Sequence, residues 1–561
     1  MRRKRSSDGV TVNAIAGTHV VTLGLDLSST RRKGCLGFAV QREDKTEGER
    51  YWMRGMKTFA ETDPMLGPDG QVSSREHPFQ TFQWADYSAK PGYEYVYTVI
   101  PLYGKPAALK EGPAMKISVS TEPELGKPHS VFFNRGSVAS QEYTRRFQDK
   151  SPKELKGEKE IAAYRWLSRG LEEALLAFVE RASGSGWGLH GAFYELRWQP
   201  FLAALKAADR RGVDVSILYD GIEGESAKEN NEIEIAAAKA KGICRPRTSG
   251  ELMHNKFLVL TRKGKPLAVW TGSTNITENG IFGHMNCGHI VEDPGVAHDF
   301  LAYWEQLCTN PELKDERTWI GEHNPAPPEP GADLEEITTV FSPHSGNDVL
   351  DWYRDISGSA KEALMMTFAF GMNDRFKAVY EREGEDILRY ALMDKASPSG
   401  KKEYMRAQEK RIQEIRNLPN VVVAIGNRIV TNSFDRWLKE LGKITKEPHV
   451  PWVHTKFMLV DPLGSKPITV TGSANWSTNS TSTNNENMLI VEGDKRVADI
   501  YLGEFMRLHS HYAFREAVAK GWGRDDGWKP QHLVAGPSWQ DDYFDEADAR
   551  YWKRRYFAQT A

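Results

Sequence analysis

Two stretches of this chain carry the same chemically capable residues in the same order. The first reads His254-Asn-Lys256, then Gly272-Ser273-Thr-Asn275 and, eleven positions later, Asn286. The second reads His454-Thr-Lys456, then Gly472-Ser473-Ala-Asn475 and, eleven positions later, Glu486. Every correspondence is displaced by 200 residues, and in both copies the Gly follows the His by 18 positions. One His-x-Lys alone carries little information, but its recurrence with Gly-Ser-x-Asn at a fixed distance marks an internal repeat. In a strand, residues i and i+2 share a face, so His254 and Lys256 point together, as do His454 and Lys456. The Gly-Ser-x-Asn turn adds a hydroxyl, an amide and open backbone N–H groups beside that face. If the copies converge, one cavity gains two imidazoles, two ammonium groups, two hydroxyls and two amides. That set suits a tetrahedral phosphodiester. Cations and donors stabilise the oxyanions, while the two imidazoles divide nucleophilic and acid–base work.

The surrounding elements must bring the copies together. Phe257–Leu260 and Phe457–Val460 are continuous apolar runs, as expected of strands buried on both faces. Around the first copy the spacing predicts a helix over 201–211, stopped by Gly212, and then a strand over 213–218. A Pro-rich run from Pro325 to Gly331 interrupts the pattern, which then restarts with an apolar run over 363–370, a helix over 376–383 and a strand over 421–425. The fold class predicted is α/β: two pseudo-symmetric lobes, 150–322 and 334–535, sharing one active site. A helical pattern over 153–181 leads into the first. Ahead of them, residues 1–124 read as an all-β sandwich. Its clearest strand, Tyr93–Val99, follows Pro91-Gly92 and sets Tyr93, Tyr95, Tyr97 and Val99 on one face. With Trp84 upstream, this run resembles the fibronectin type III sandwich. The aromatic tail, 536–561, is expected to pack against a lobe.

Composition sets the outer bounds. The chain has 561 residues, with 74 Lys+Arg against 76 Asp+Glu and a formal net charge of −2. This excludes a globally basic nucleic-acid coat and a polyacidic disordered chain, but not a local basic cleft. Cys35, Cys244, Cys287 and Cys308 are scattered without ligand spacing, which argues against a disulfide scaffold or a zinc module. The basic start Met1–Arg5 has no apolar run behind it, and no stretch approaches the roughly 18 apolar residues of a membrane helix. A cytoplasmic protein without integral membrane association is expected.

At the two motif copies the sequence resembles the phospholipase D superfamily, whose signature is His-x-Lys-x4-Asp with a downstream Gly-Ser-x-Asn. The resemblance covers both lobes. It implies a metal-independent phosphodiesterase without cofactor, working through a covalent phosphohistidine. It assigns His254 and His454 as the catalytic pair, and Lys256, Lys456, Asn275 and Asn475 as phosphate ligands supported by Ser273 and Ser473. Two positions depart from it. Thr261 stands where the signature Asp would be, whereas Asp461 is kept, and a packing or folding role is expected there. Some members orient the imidazole with a Glu eleven residues after the motif Asn. Glu486 is accordingly expected to orient His454, and Asn286 to orient His254. With His254 as nucleophile, His454 becomes the acid. The substrate placed first is nucleic acid, with glycerophospholipid as the alternative and a non-catalytic scaffold last. The N-terminal domain is left to an unassigned ligand or protein partner. His284, His289, His344 and His449 are expected in surface or loop positions, Trp452 in core packing, and the charged helix 401–416 on a solvated face.

Overall fold

The computed structural model describes residues 1–66, 70–136, 141–330, 335–397, 400–426, 453–521 and 531–560. Trp452 and His449 lie outside these residues.

Among the described residues, strands β1 to β11 fall between Arg2 and Ser120. Arg2–Ser7, Val10–Ala16, Val21–Leu27 and Gln83–Asp86 form an antiparallel four-stranded sheet. A five-stranded sheet is centred on the long strand Glu94–Lys105. Alternate residues of that strand, Tyr95, Tyr97 and Val99, are buried in one core with Val12, Leu23 and Leu25 of the first sheet. The period-2 pattern thus does what strand geometry requires, placing one face inward.

Each lobe is a seven-stranded mixed sheet. In the first, β12 (His129–Phe133), β13 (Trp187–Phe193), β14 (Asp214–Asp220), β15 (Cys244–Arg247), β16 (Lys256–Arg262), β17 (Lys265–Gly272) and β18 (Cys287–Val291) lie in the order β12-β18-β17-β16-β13-β14-β15. In the second, β19 (Ile337–Ser342), β20 (Ala363–Phe368), β21 (Leu388–Met393), β22 (Val421–Ile425), β23 (Phe457–Val460), β24 (Ile468–Gly472) and β25 (Glu486–Glu492) lie in the order β19-β25-β24-β23-β20-β21-β22. The orders are identical, strand for strand. The repeat seen in the motifs is a repeat of whole lobes. The edge strand β12 pairs with β18, so the first lobe's sheet begins upstream of the helical lead-in. That lead-in is two helices, Glu158–Ser168 and Leu171–Glu180, broken where Arg169 and Gly170 turn left-handed.

The lobes are joined by apolar packing. Phe257, Phe300 and Tyr303 of the first share a core with Phe341 and Leu489 of the second. The helix Lys495–Gly521 buries Val497, Tyr501, Phe505 and Leu508 in a cluster that includes Phe133, Val453 and Phe457. The C-terminal tail reaches both the lobes and the N-terminal sheets. Trp539 enters the N-terminal core and donates Nε1–H to Cys35 O, while Tyr556 and Phe557 pack with lobe residues.

Candidate active site

Both His-x-Lys segments enter central strands at the seam between the lobes. Met253 forms a parallel bridge with Asn485, and Val453 one with Met285, so each strand entry is zipped to the motif loop of the other lobe. Side chains repeat the exchange. Asn487 Oδ1 accepts Lys256 N–H at 3.0 Å, and its Nδ2 donates to Thr271 Oγ1 at 2.6 Å. The segment ahead of each histidine is tethered by an aspartate at a strand end. Met253 N–H donates to Asp220 at 2.8 Å and Val453 N–H to Asp394 at 3.2 Å.

The histidine partners are the reverse of those expected from the sequence. His254 Nδ1 lies 2.8 and 3.0 Å from the two Glu486 carboxylate oxygens. His454 Nδ1 lies 2.8 Å from Asn286 Oδ1. Glu486 therefore orients His254, and Asn286 orients His454. The reason is the lobe docking: the loop eleven residues after the motif Asn crosses the seam and reaches the other lobe's imidazole. The Asn286 amide is fixed by Nδ2–H donation to Gly280 O at 2.7 Å and by a bond from Ser273 Oγ at 2.9 Å to its Oδ1. Its oxygen can only accept, so His454 presents Nδ1–H inward and leaves Nε2 as the reactive nitrogen. The Glu486 carboxylate imposes the same orientation on His254.

The remaining predicted residues gather here. Lys256 and Lys456 donate Nζ–H to the carbonyls of His254 and His454, each at 2.6 Å. Asn275 Nδ2 donates to Glu195, and the Oδ1 atoms of Asn275 and Asn475 are buried without a partner. Ser273 and Ser473 accept backbone N–H from Cys287 and Asn487 at 3.1 and 2.9 Å, so both hydroxyls tie the Gly-Ser turn to its own loop. At Gly272 and Gly472 φ is +133° and +156°, and an added Cβ would lie 2.4 and 2.2 Å from a backbone carbonyl oxygen, so only glycine fits.

Burial dominates the electrostatics. It lowers the His254 imidazole to about 4 despite the upward pull of Glu486, and Lys256 adds to the depression. His454 is held well below 6.5 by burial, then by Lys456, His284 and Lys256. Burial also lowers Lys256 to about 7, and Lys456 falls well below 10.5 through burial and repulsion from Lys256. Two lysines held together away from water in this way are complementary to an anion.

Several site residues carried no sequence signal strong enough to find them. The Tyr194 ring lies 5.2 Å from that of His254 and 5.4 Å from Lys256 Nζ. Asp220 and Asp394 are displaced by 174 rather than 200 residues, which hid them from the repeat. His284, His289 and His344, expected in surface or loop positions, are all buried: the first two because the motif loop of the first lobe and the strand after it are enclosed by the second lobe and by β12, and His344 just after β19, where its N–H donates to Thr481 O at 2.8 Å. Asp461 lies at the far end of β23, where its carboxylate accepts the N–H groups of Lys361, Glu362 and Ala363 at 2.7–3.1 Å. Thr261 packs against Gly188, where a Cβ would come within 2.4 Å of its hydroxyl. Both positions shape strand ends and lie away from the imidazoles.

Residues 178–308 and 354–509, more than half the chain, match the family described as "Cardiolipin synthase, PLD-like domain". The chain belongs to the phospholipase D superfamily. The family match begins at residue 178 and does not reach the N-terminal sheets, so the fibronectin likeness gains nothing from it. No curated protein matches the sequence. Similar solved structures include phosphatidylserine synthase from Haemophilus influenzae Rd KW20 (11% identity, TM-score 0.42, covering 63% of this chain and 91% of that one). Yeast tyrosyl-DNA phosphodiesterase is another (12%, TM-score 0.31, 58% and 88%). Polyphosphate kinase from Porphyromonas gingivalis is a third (14%, TM-score 0.36, 70%), and the chain spans 54% of its length. Among the described residues no helix is long and apolar enough to cross a membrane.

Proposed function

We propose that this phospholipase D superfamily member cleaves phosphodiesters through a covalent phosphohistidine on His254. The observation that carries the reading is the exchanged pairing of the histidines. A carboxylate behind Nδ1–H raises the electron density of Nε2 and stabilises the positive charge that develops as that nitrogen bonds to phosphorus. Glu486 gives His254 this support, whereas Asn286 gives His454 only a neutral amide. His254 Nε2 attacks phosphorus while the leaving alcohol takes a proton from His454. A substrate anion entering between Lys256 and Lys456 favours the protonated form of that ring. His454 then removes a proton from water or an acceptor alcohol, which displaces His254. The lysines and the Asn275 and Asn475 amides hold the phosphoryl oxygens. No step requires a metal ion.

Nucleic acid is the substrate class we place first, on the likeness of Gly472-Ser-Ala-Asn-Trp-Ser477 with Asn484-Asn-Glu486-Asn to the superfamily's nucleases. The description of the matched family as a cardiolipin synthase favours glycerophospholipid as the second. One comparative assay tests both: the full-length protein with EDTA on single-stranded DNA, RNA, duplex DNA and phosphatidylcholine vesicles. Turnover of a nucleic acid that survives EDTA supports the first reading. Lipid turnover alone selects the second, and a requirement for a divalent cation sinks the mechanism.

A further inference from the structure

One ion pair at the seam has no part in the reaction described above. Arg247, the last residue of β15, and Glu316, in the helix Leu313–His323, are each 1% exposed, and Arg247 Nη2 lies 2.7 Å from Glu316 Oε2. Both precede the second lobe in the chain, yet the other Glu316 oxygen reaches into it: Oε1 accepts Asn485 Nδ2–H at 2.6 Å. Asn485 directly precedes Glu486. Burial pushes the Glu316 carboxyl up to about 7, against the opposing pull of Arg247 and Asn485. A pair so far from water gives little net stability, because desolvation offsets its attraction. What it does supply is a fixed geometry.

That geometry holds both approaches to the His254–Glu486 contact. Arg247 Nη1 donates to the carbonyls of Ser249 and Glu251, the latter at 3.4 Å, in the segment that runs into His254. Glu316 holds the residue ahead of Glu486. The two segments are also bonded to each other: Asn485 N–H donates to Leu252 O and His254 N–H to Asn485 O, both at 2.9 Å. Those bonds join one loop to another and leave the joined pair to be anchored. Asp220 anchors the His254 side through Met253 N–H. The helix anchors the Glu486 side, with Arg317 Nε donating to Ser482 O at 2.9 Å and Glu316 accepting from Asn485. Turned over, the Asn485 amide would set Oδ1 against the Glu316 oxygen, so its orientation is fixed.

The first lobe's loop is gripped differently. Asn134, a neutral amide of the same lobe, donates to the carbonyls of Ile281 and His284 at 2.7 and 2.6 Å and accepts Asn286 N–H at 3.0 Å. The loop behind His454 is therefore held from within its own lobe by an amide. The loop behind His254 is held from across the seam by a buried ion pair, and His254 is the ring assigned to attack phosphorus. Resting on the proposed reaction, we infer that Glu316 is a positioning residue for the nucleophile. Fixed by Arg247, it holds Asn485 and so keeps the Glu486 carboxylate on His254 Nδ1, which leaves Nε2 for phosphorus.

The test is a set of double-mutant comparisons on the full-length protein with bis(p-nitrophenyl) phosphate. The readout is kcat/KM, which reports the attack by His254. Asn485→Ala removes the amide and leaves the ion pair in place. It is expected to lower kcat/KM about tenfold in the wild-type background, but by less than about twofold in Glu486→Ala, where no carboxylate is left to position. A second comparison avoids an unpaired buried charge. On an Arg247→Met background, Glu316→Gln keeps an acceptor for Asn485 and Glu316→Leu does not. Both should unfold at similar temperatures, with kcat/KM about tenfold higher for Glu316→Gln. If Asn485→Ala does not fold, this comparison carries the same expectation. Full activity in Asn485→Ala, an equal loss in its two backgrounds, or equal kcat/KM for the two Glu316 variants overturns the inference and leaves the phosphodiesterase reading intact. If the wild-type protein turns over neither this diester nor nucleic acid nor phospholipid, that reading falls and the inference with it.

Discussion

The two motif loops sit at equivalent places in identical strand orders, yet they offer different chemistry. The loop ending in β18 carries His284, Asn286 and Cys287, whereas the loop ending in β25 carries Asn484, Glu486 and Asn487. Each loop serves the histidine of the opposite lobe. The carboxylate therefore belongs to His254 and the amide to His454. The residues around each imidazole are assigned correctly only when read across the seam, since neither lobe contains a complete histidine environment of its own.

The largest effect that could break this comparison is loss of either histidine. His254→Asn and His454→Asn are each expected to lower kcat by about a thousandfold or more. Phosphate should accumulate on His254 when His454 is removed. Intact-mass measurement on quenched enzyme checks this, and phosphate found on His454 would reverse the assignment. Next is the unequal weight of the two partners. Glu486→Gln should lower kcat by about a hundredfold and Asn286→Ala by about tenfold, since a supporting carboxylate matters more behind the nucleophile. Steady-state kinetics that rank them the other way would move the nucleophile from His254 to His454.

The pH profile offers a smaller but sharper test. His254 must be neutral to attack, so activity is retained above its pKa of about 4 and lost as pH falls through that value. Lys256 must be charged to hold phosphate, so activity is retained below about 7 and lost as pH rises through it. The bell in kcat/KM should span that interval. A plateau continuing to pH 9 would mean that Lys256 keeps its proton. The smallest effect separates the motif ends from the chemistry. Asp461→Ala should lower stability by about 1–3 kcal/mol, because three backbone N–H groups lose their acceptor. Thr261→Val should cost less, and both should leave kcat within about twofold. Thermal unfolding alongside kinetics reads both, and a large loss of kcat in either variant would put that position back in the chemistry.

Much of this is legible in the sequence alone. The 200-residue displacement identified both lobes, and strand alternation placed His and Lys on one face. The exchanged pairing was not legible, because it depends on how two lobes dock. A motif read along one strand points each loop at its own histidine. Asp220 and Asp394 escaped because an intervening segment differs in length between the lobes and breaks the displacement. The five-residue strand β12 offers too little pattern to separate from a loop, and it is β12 that, with the second lobe, covers His284 and His289. The N-terminal alternation through Tyr95, Tyr97 and Val99 was readable because a long strand with one buried face leaves a clear period of two.

The exchanged pairing also bears on how such a site can change over generations. In a pair of identical separate chains related by a two-fold axis, a substitution in the loop would appear beside both histidines at once. A carboxylate gained for one would be forced on the other. Here both halves lie on one polypeptide, so Glu486 and Asn286 can differ and each imidazole can be tuned alone. With both halves on one chain, the two imidazoles carry different partners, a carboxylate behind His254 and an amide behind His454.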